Sequence, residues 1–212
     1  METNAPPHAR WEKDIAAFEA ADKTNPPPTG AVVFVGSSSI RLWKMAAEQF
    51  PSHRIINRGF GGSHLSDSVA FAGRIVIPYR PKLVVLYAGD NDIASGKTPE
   101  QVRDDFKAFV AKVREALPET RVAYLAIKPS SSRLKFFDRH KATNDLIREV
   151  IATDPKLIYV DTWTPILDAE GKPRDEFFLP DRLHLNDAGY KLWAGIVGPV
   201  LDKFVPPSPE SR

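Results

Sequence analysis

Ala31-Val32-Val33-Phe34-Val35-Gly36-Ser37-Ser38-Ser39 is an apolar run that breaks abruptly into a glycine and three serines. The run does not alternate between polar and apolar residues. It therefore predicts a strand covered on both faces, as in a buried parallel sheet. Four further runs have the same character: Arg54 to Asn57, Leu83 to Ala88, Arg121 to Ile127 and Leu157 to Asp161.

Helical periodicity lies between these runs. From Pro99 to Leu117, the residues Val102, Phe106, Phe109, Val110, Val113 and Leu117 fall on one face. Thr98 is placed to cap that helix, with Gln101 completing a capping box, Pro99 at its first position and Pro118 after its end. Further helices are expected over about Arg10 to Ala21 and Asp138 to Ala152. Another follows Asn186 or Asp187, with Tyr190, Trp193, Ile196, Val197, Val200 and Leu201 facing inward. Alternating strands and helices predict one three-layer α/β/α domain around a five-stranded parallel sheet. Its body is expected over residues 30–205. Residues 1–29 are read as an N-terminal helix and Pro-rich linker packed on it, and 206–212 as a disordered tail.

Composition narrows the functional classes. The 212 residues carry a formal net charge of +2 with no window dense in Lys and Arg, which gives nucleic-acid binding no support. Cysteine is absent, so disulfides, thiolate metal sites and cysteine nucleophiles are excluded. No apolar run approaches the ~18 residues needed to span a bilayer. Met1 to Arg10 lacks a basic-then-apolar export pattern, which leaves the compartment open: cytoplasmic, or periplasmic or secreted if a signal was removed. Oligomeric state is likewise open.

The polar residues fall where such a fold gathers ligands, just past the carboxyl ends of the strands. Ser38 follows the first strand, the Gly59-Phe60-Gly61-Gly62 loop the second, Gly89-Asp90-Asn91-Asp92 the third, and Asp181-Arg182-Leu183-His184 comes after the fifth. Acyl transfer needs a nucleophile, a base to take its proton, an anion to orient the base, and donors for the oxyanion. Ser38, His184 and Asp181 suit the first three. The backbone N–H groups of Ser38 and Gly62 and the side-chain amide of Asn91 suit the last. Position alone leaves Ser37 and Ser39 as rivals to Ser38.

Together these four blocks resemble the SGNH (GDSL-like) serine hydrolases, from about Ala31 to Phe204. The subgroup nearest in character resembles platelet-activating-factor acetylhydrolase and the small-acyl and carbohydrate acetylesterases. The resemblance selects Ser38 as nucleophile in Gly36-Ser37-Ser38, Gly62 and Asn91 as oxyanion donors, and Asp181 with His184 as the acid and base. It implies a flavodoxin-like sheet of order 2-1-3-4-5 and cofactor-free hydrolysis of short-chain, acetyl-type esters through an acyl-enzyme. The implied partner is thus a small-molecule ester. Two positions depart from the family pattern. Ser37 stands where the family has Asp, and Asp90 where it has a second Gly.

Each feature also has a simpler reading. Ser38 alone would cap a helix, the glycines would make tight turns, and Asp-x-x-His would be a surface turn. His8, His53 and His140 read as an arm, a surface loop and a charged helix face; Arg133, Lys135 and Arg139 read as a solvated face. His64 and Trp163 are candidates to line the substrate site, with core packing the simpler role for Trp163. Two other functions fit parts of the chain. Asp90 and Asp92 after a buried strand suit magnesium-dependent phosphoryl transfer, although Ala88-Gly89 separate them from the strand. A catalytically inactive binding module on the same scaffold is the third.

Overall fold

A computed structural model describes residues 8–206. Five strands, β1 (Val32–Gly36), β2 (Ile55–Gly59), β3 (Leu83–Tyr87), β4 (Arg121–Leu125) and β5 (Leu157–Val160), form one sheet. All its pairings are parallel, and its order is β2-β1-β3-β4-β5, as the family resemblance implied. Residues 1–7 and 207–212 lie outside the described residues, and with them most of the segment read as a tail.

The helices are α1 (Glu12–Thr24), α2 (Ser38–Arg41), α3 (Ala46–Gln49), α4 (Leu65–Ile75), α5 (Asp90–Ala94), α6 (Pro99–Ala116), α7 (Phe137–Ala152) and α8 (Asp187–Phe204). The continuous apolar strands are explained by two cores, one per face. Val33 and Val35 of β1, Val84 and Leu86 of β3, and Val122 and Tyr124 of β4 point toward α1, α4, α6 and α7. Their alternating neighbours Val32, Phe34, Val85, Tyr87, Ala123 and Leu125 meet α2, α3 and α8. Period-two alternation within each strand therefore feeds both cores.

Helix boundaries follow local chemistry. Thr98 Oγ1 accepts the Gln101 N–H while Gln101 Oε1 accepts the Thr98 N–H, closing the expected capping box of α6. Asn186 is the cap of α8, its Oδ1 accepting the Gly189 N–H at 3.0 Å. Tyr190, Trp193, Val197 and Leu201 are buried on that helix, and Ile196 and Val200 are half-buried at its margin. Helix α1 adds Ile15 to the first core, and its acids hold basic residues of the body. Asp22 meets Arg58, and Glu12 and Glu19 both meet Arg74.

One sequence expectation fails here. His140, read as part of a charged surface, is 1 % exposed on the inner side of α7. Charged neighbours at 139 and 141 hid an inward position that helical periodicity assigns alongside Thr143, Asn144 and Ile147. His53 is also more sheltered than a surface loop suggests, with its Nε2 2.9 Å from Asp202 Oδ1.

Phe106 is fully buried and meets Tyr124 edge-on at 5.3 Å between centroids. Phe106→Ala is expected to lower the unfolding free energy by about 3–5 kcal/mol, read from urea midpoints. Leu134→Ala, at an exposed side chain, is expected to change it by less than about 0.5 kcal/mol.

Candidate active site

The carboxyl ends of β1, β2 and β3 are locked side by side. Gly36 pairs with Gly59 on one flank and with Tyr87 on the other. Just past the strands, the Phe60 N–H donates to the Gly36 carbonyl (2.9 Å) and the Ser37 N–H to the Tyr87 carbonyl (3.0 Å). A Cβ on residue 36 would stand 1.9 Å from the Tyr87 carbonyl oxygen, so only glycine permits this closure. The loops that follow these three strands are thereby held as neighbours.

Ser38 opens α2 directly after β1. That short helix is gripped from two sides. Asn57 Nδ2 donates to the Ile40 carbonyl at 2.7 Å, and the Tyr190 hydroxyl donates to the Ser39 carbonyl at 2.9 Å. Ser37 and Ser39 are buried and Ser38 is half-buried. The geometry thus separates the three serines. The Oγ of Ser38 lies 3.0 Å from His184 Nε2.

His184 sits on a small hairpin formed by the Phe178–Leu185 bridge, with the Leu179 N–H donating to the His184 carbonyl. At its tip Arg182 occupies the left-handed region (φ 53°), which turns His184 back over Asp181. Asp181 Oδ2 is 2.6 Å from His184 Nδ1, and Asp181 Oδ1 accepts the N–H groups of Leu183 and His184. Partial burial opposes the Asp181 charge. The imidazole hydrogen bond and the two backbone donors outweigh it and hold this carboxyl at about 2. A hydroxyl, an imidazole and an ionised carboxylate therefore stand in hydrogen-bonded series, from residues 146 positions apart in the chain.

Gly62 adopts φ 75°, a conformation open to glycine at little cost, and its carbonyl accepts from Arg10 at 3.4 Å. Trp11 packs on Phe60 beneath this loop. Asn91, at the start of α5, donates from Nδ2 to the Ser63 carbonyl at 3.1 Å, which ties the third loop to the second. Among the described residues, the backbone N–H groups of Ser38 and Gly62 take no protein acceptor. They and the second Nδ2 hydrogen of Asn91 are the donors available to an anion here.

Asp90 and Asp92 flank Asn91 but serve different neighbours. Buried Asp92 accepts the Leu65 N–H on both oxygens and pairs with Lys97 at 2.9 Å, which anchors the start of α4. Burial pushes its carboxyl upward, with Lys97 opposing. Asp90 turns to Lys128 (3.5 Å), Arg133 (3.1 Å) and His140 (3.5 Å). Burial works against its charge, and those neighbours, Lys128 foremost, reverse the balance and lower its pKa. Each carboxylate is neutralised by its own cations, so the pair is not arranged as a shared magnesium site. Among the described residues no group of three His, Asp or Glu is placed to hold a metal ion.

His64 precedes α4, and its N–H donates to Asp67 Oδ2 at 2.7 Å. Asp67 in turn meets His8 of the N-terminal arm at 2.5 Å. Trp163 packs on Phe137 at 4.6 Å between centroids and is 9 % exposed, the packing role. Sequence reasoning missed Arg133. It was read as solvated, yet its side chain is 18 % exposed and reaches Asp90 and Asn91. Nothing in its local pattern distinguishes it from Lys135 or Arg139. The bracing of the Gly62 loop by Arg10 and Trp11 was also not legible.

The parallel α/β sheet thus presents a hydrogen-bonded Ser–His–Asp series beyond its strand ends, an arrangement compatible with an α/β hydrolase class. A family model described as GDSL-like lipase/acylhydrolase matches residues 30–192, and the chain belongs to that family of carboxylic ester hydrolases. Among solved structures, a Streptococcus pneumonia protein provisionally assigned as a platelet activating factor is 20 % identical, with TM-score 0.81 over 90 % of this chain and 92 % of that one. A GDSL-like lipase from Bacteroides thetaiotaomicron is 20 % identical, with TM-score 0.75 over 89 % and 97 %. An acetyl-xylooligosaccharide esterase from Geobacillus Stearmophilus is 13 % identical, with TM-score 0.63 over 84 % and 95 %. At these identities the likeness is one of fold. No curated protein matches the chain.

Because the His184 hydrogen bond is the main force lowering the Asp181 pKa, its removal has a definite sign. In His184→Ala, the Asp181 carboxyl carbon is expected to titrate above about 2 while remaining below an ordinary aspartate, since both backbone donors stay. Carboxyl ¹³C NMR between pH 1 and 6 measures this.

Proposed function

We propose that the protein hydrolyses short-chain, acetyl-type carboxylic esters through an acyl-enzyme on Ser38, with His184 as general base then acid and Asp181 as its orienting anion. The observation that carries this reading is the unbroken hydrogen-bonded order Ser38 Oγ, His184 Nε2, His184 Nδ1, Asp181 Oδ2 at 3.0 and 2.6 Å. A scaffold retained only for binding would not require that order, and the intact series supports catalysis over an inactive module.

The steps follow from the geometry. Ser38 Oγ attacks the ester carbonyl as its proton passes to His184 Nε2. The charge on the imidazolium is balanced by Asp181, which stays ionised throughout. The carbonyl oxygen becomes an oxyanion facing the Ser38 and Gly62 N–H groups and the Asn91 amide. His184 returns the proton to the leaving alcohol. Water then repeats the sequence on the acyl-enzyme and releases the carboxylic acid.

Accessibility supports a small acyl group on a larger alcohol. The Asp181 side chain is 46 % exposed and that of His184 26 %, so the reacting atoms face solvent rather than a deep tunnel. The fold likeness to an acetyl-xylooligosaccharide esterase agrees with this choice. A second reading rests on an apolar groove of about 370 Å³ lined by Leu42, Trp43, Met45, Leu179, Leu185 and Tyr190, which begins one residue from His184. A longer acyl chain would lie there.

A panel of p-nitrophenyl esters from acetate to decanoate separates the two. Highest kcat/KM at acetate supports the first reading, and a rise with chain length supports the second. Ser38→Ala is expected to cut kcat by at least about 10³-fold and to abolish phosphonate labelling, which peptide mass places on Ser38. Undiminished turnover by that variant overturns the nucleophile. With Asp181 held at about 2, its carboxylate stays ionised above pH 3, so any acid loss of kcat/KM above that pH is expected to follow unit slope, from the general base alone. A slope of two would mean that a second group is required.

A further inference from the structure

Arg133 has a geometry that its chain context does not explain. It precedes α7, in a short 3-10 segment (Ser131–Phe136) whose Ser132 N–H donates to the Arg182 carbonyl of the His184 hairpin. Its guanidinium is aimed inward. Nη1 donates to the Asp90 carbonyl at 3.0 Å and lies 3.1 Å from Asp90 Oδ1, while Nη2 donates to Asn91 Oδ1 at 3.1 Å.

A guanidinium carries only donors, and a backbone carbonyl only accepts. Asn91 lies between one of each. Its oxygen must face Arg133, and its NH₂ must face Ser63 and the Gly62 loop. One N–H is taken by the Ser63 carbonyl, which leaves the other for the oxyanion. The amide is thus fixed before substrate arrives, the condition under which a donor is most effective in a transition state.

The charge behind the amide is also arranged. Buried Asp90 is set against two cations, Lys128 and Arg133, with the His140 imidazole also 3.5 Å away. One anion against two cations leaves an excess positive charge behind the Asn91 carbonyl. Polarising that carbonyl makes the opposite N–H a stronger donor. The family's glycine at position 90 would supply no carboxylate to hold the guanidinium. Asp90 and Arg133 therefore work as a unit.

Resting on the esterase reading above, we propose that Arg133 is the positioning residue for the oxyanion amide of Asn91, fixing its orientation and polarising its N–H toward the developing charge.

The test measures kcat and KM for p-nitrophenyl acetate in Arg133→Met and Arg133→Lys, each made alone and with Asn91→Ala. Side-chain ¹⁵N–¹H spectra accompany it, with the Asn91 amide pair identified by its loss in Asn91→Ala. Arg133→Met is expected to lower kcat about tenfold with KM within twofold, short of the ~10²–10³ for losing an oxyanion donor itself. Arg133→Lys is expected to fall between, since one ammonium cannot make both contacts. In the Asn91→Ala background, Arg133→Met is expected to cost less than a further twofold. Ethylguanidinium is expected to restore part of kcat to Arg133→Ala, which guards against a misfolded variant. Full additivity of the two substitutions, or unchanged kcat in Arg133→Met, overturns the proposal. If no Ser38-dependent hydrolysis exists, the esterase reading falls by itself. The spectra still decide the positioning role: shifted Asn91 amide signals in Arg133→Met uphold it and unmoved signals overturn it.

Discussion

The site depends on the closure of the strand ends around Gly36. There the carbonyl of one residue and the N–H of the next are bonded to opposite neighbours, Phe60 on one side and Tyr87 on the other. These two hydrogen bonds carry the parallel register past the strands and into the loops. The Ser38 helix, the Gly62 loop and the Asn91 turn are then neighbours because their strands are. The approach of the Tyr87 carbonyl leaves no room for a side chain at position 36, so this one residue limits how the three loops assemble. The fourth component, the His184 hairpin, is brought from the far edge of the sheet and held by α8, whose Tyr190 reaches back to the Ser38 helix.

Around this frame the charges are separated with care for burial. Asp181 keeps its ionisation at the surface, where imidazole and backbone donors stabilise it. Asp90 and Asp92, on either side of Asn91, are buried, and each is matched by a basic side chain brought from elsewhere in the chain. Unpaired, either would cost several kcal/mol in the interior. Paired, they serve geometry. Asp92 anchors the start of α4 behind the Gly62 loop, and Asp90 gathers Lys128, Arg133 and His140 behind the amide. The substitution of Asp for the family's glycine at position 90 thus brings its own set of partners.

The N-terminal helix shows the same economy. Its acidic face ties to Arg58 and Arg74 of the body, and just ahead of it Arg10 and Trp11 rest against the loop that carries Gly62. A segment outside the βα repeat thereby contacts the site without supplying a reacting group. Such contacts join residues about 50 positions apart and leave no local pattern, which is why the sequence reading assigned this segment to packing alone.

What the sequence determined by itself was the class of fold and the place where its polar blocks gather. Unbroken apolar runs demand coverage on both faces, helical spacing supplies the cover, and polar blocks at the strand ends mark where ligands meet the sheet. Capping chemistry at Thr98 and Asn186 is local and was equally legible. Only the tertiary structure decided which of three adjacent serines meets the imidazole and that Arg133 turns inward to Asn91. The physical reason is range. Propensity, periodicity and caps act within a few residues, whereas the environment of a buried charge is set by groups brought together from distant parts of the chain.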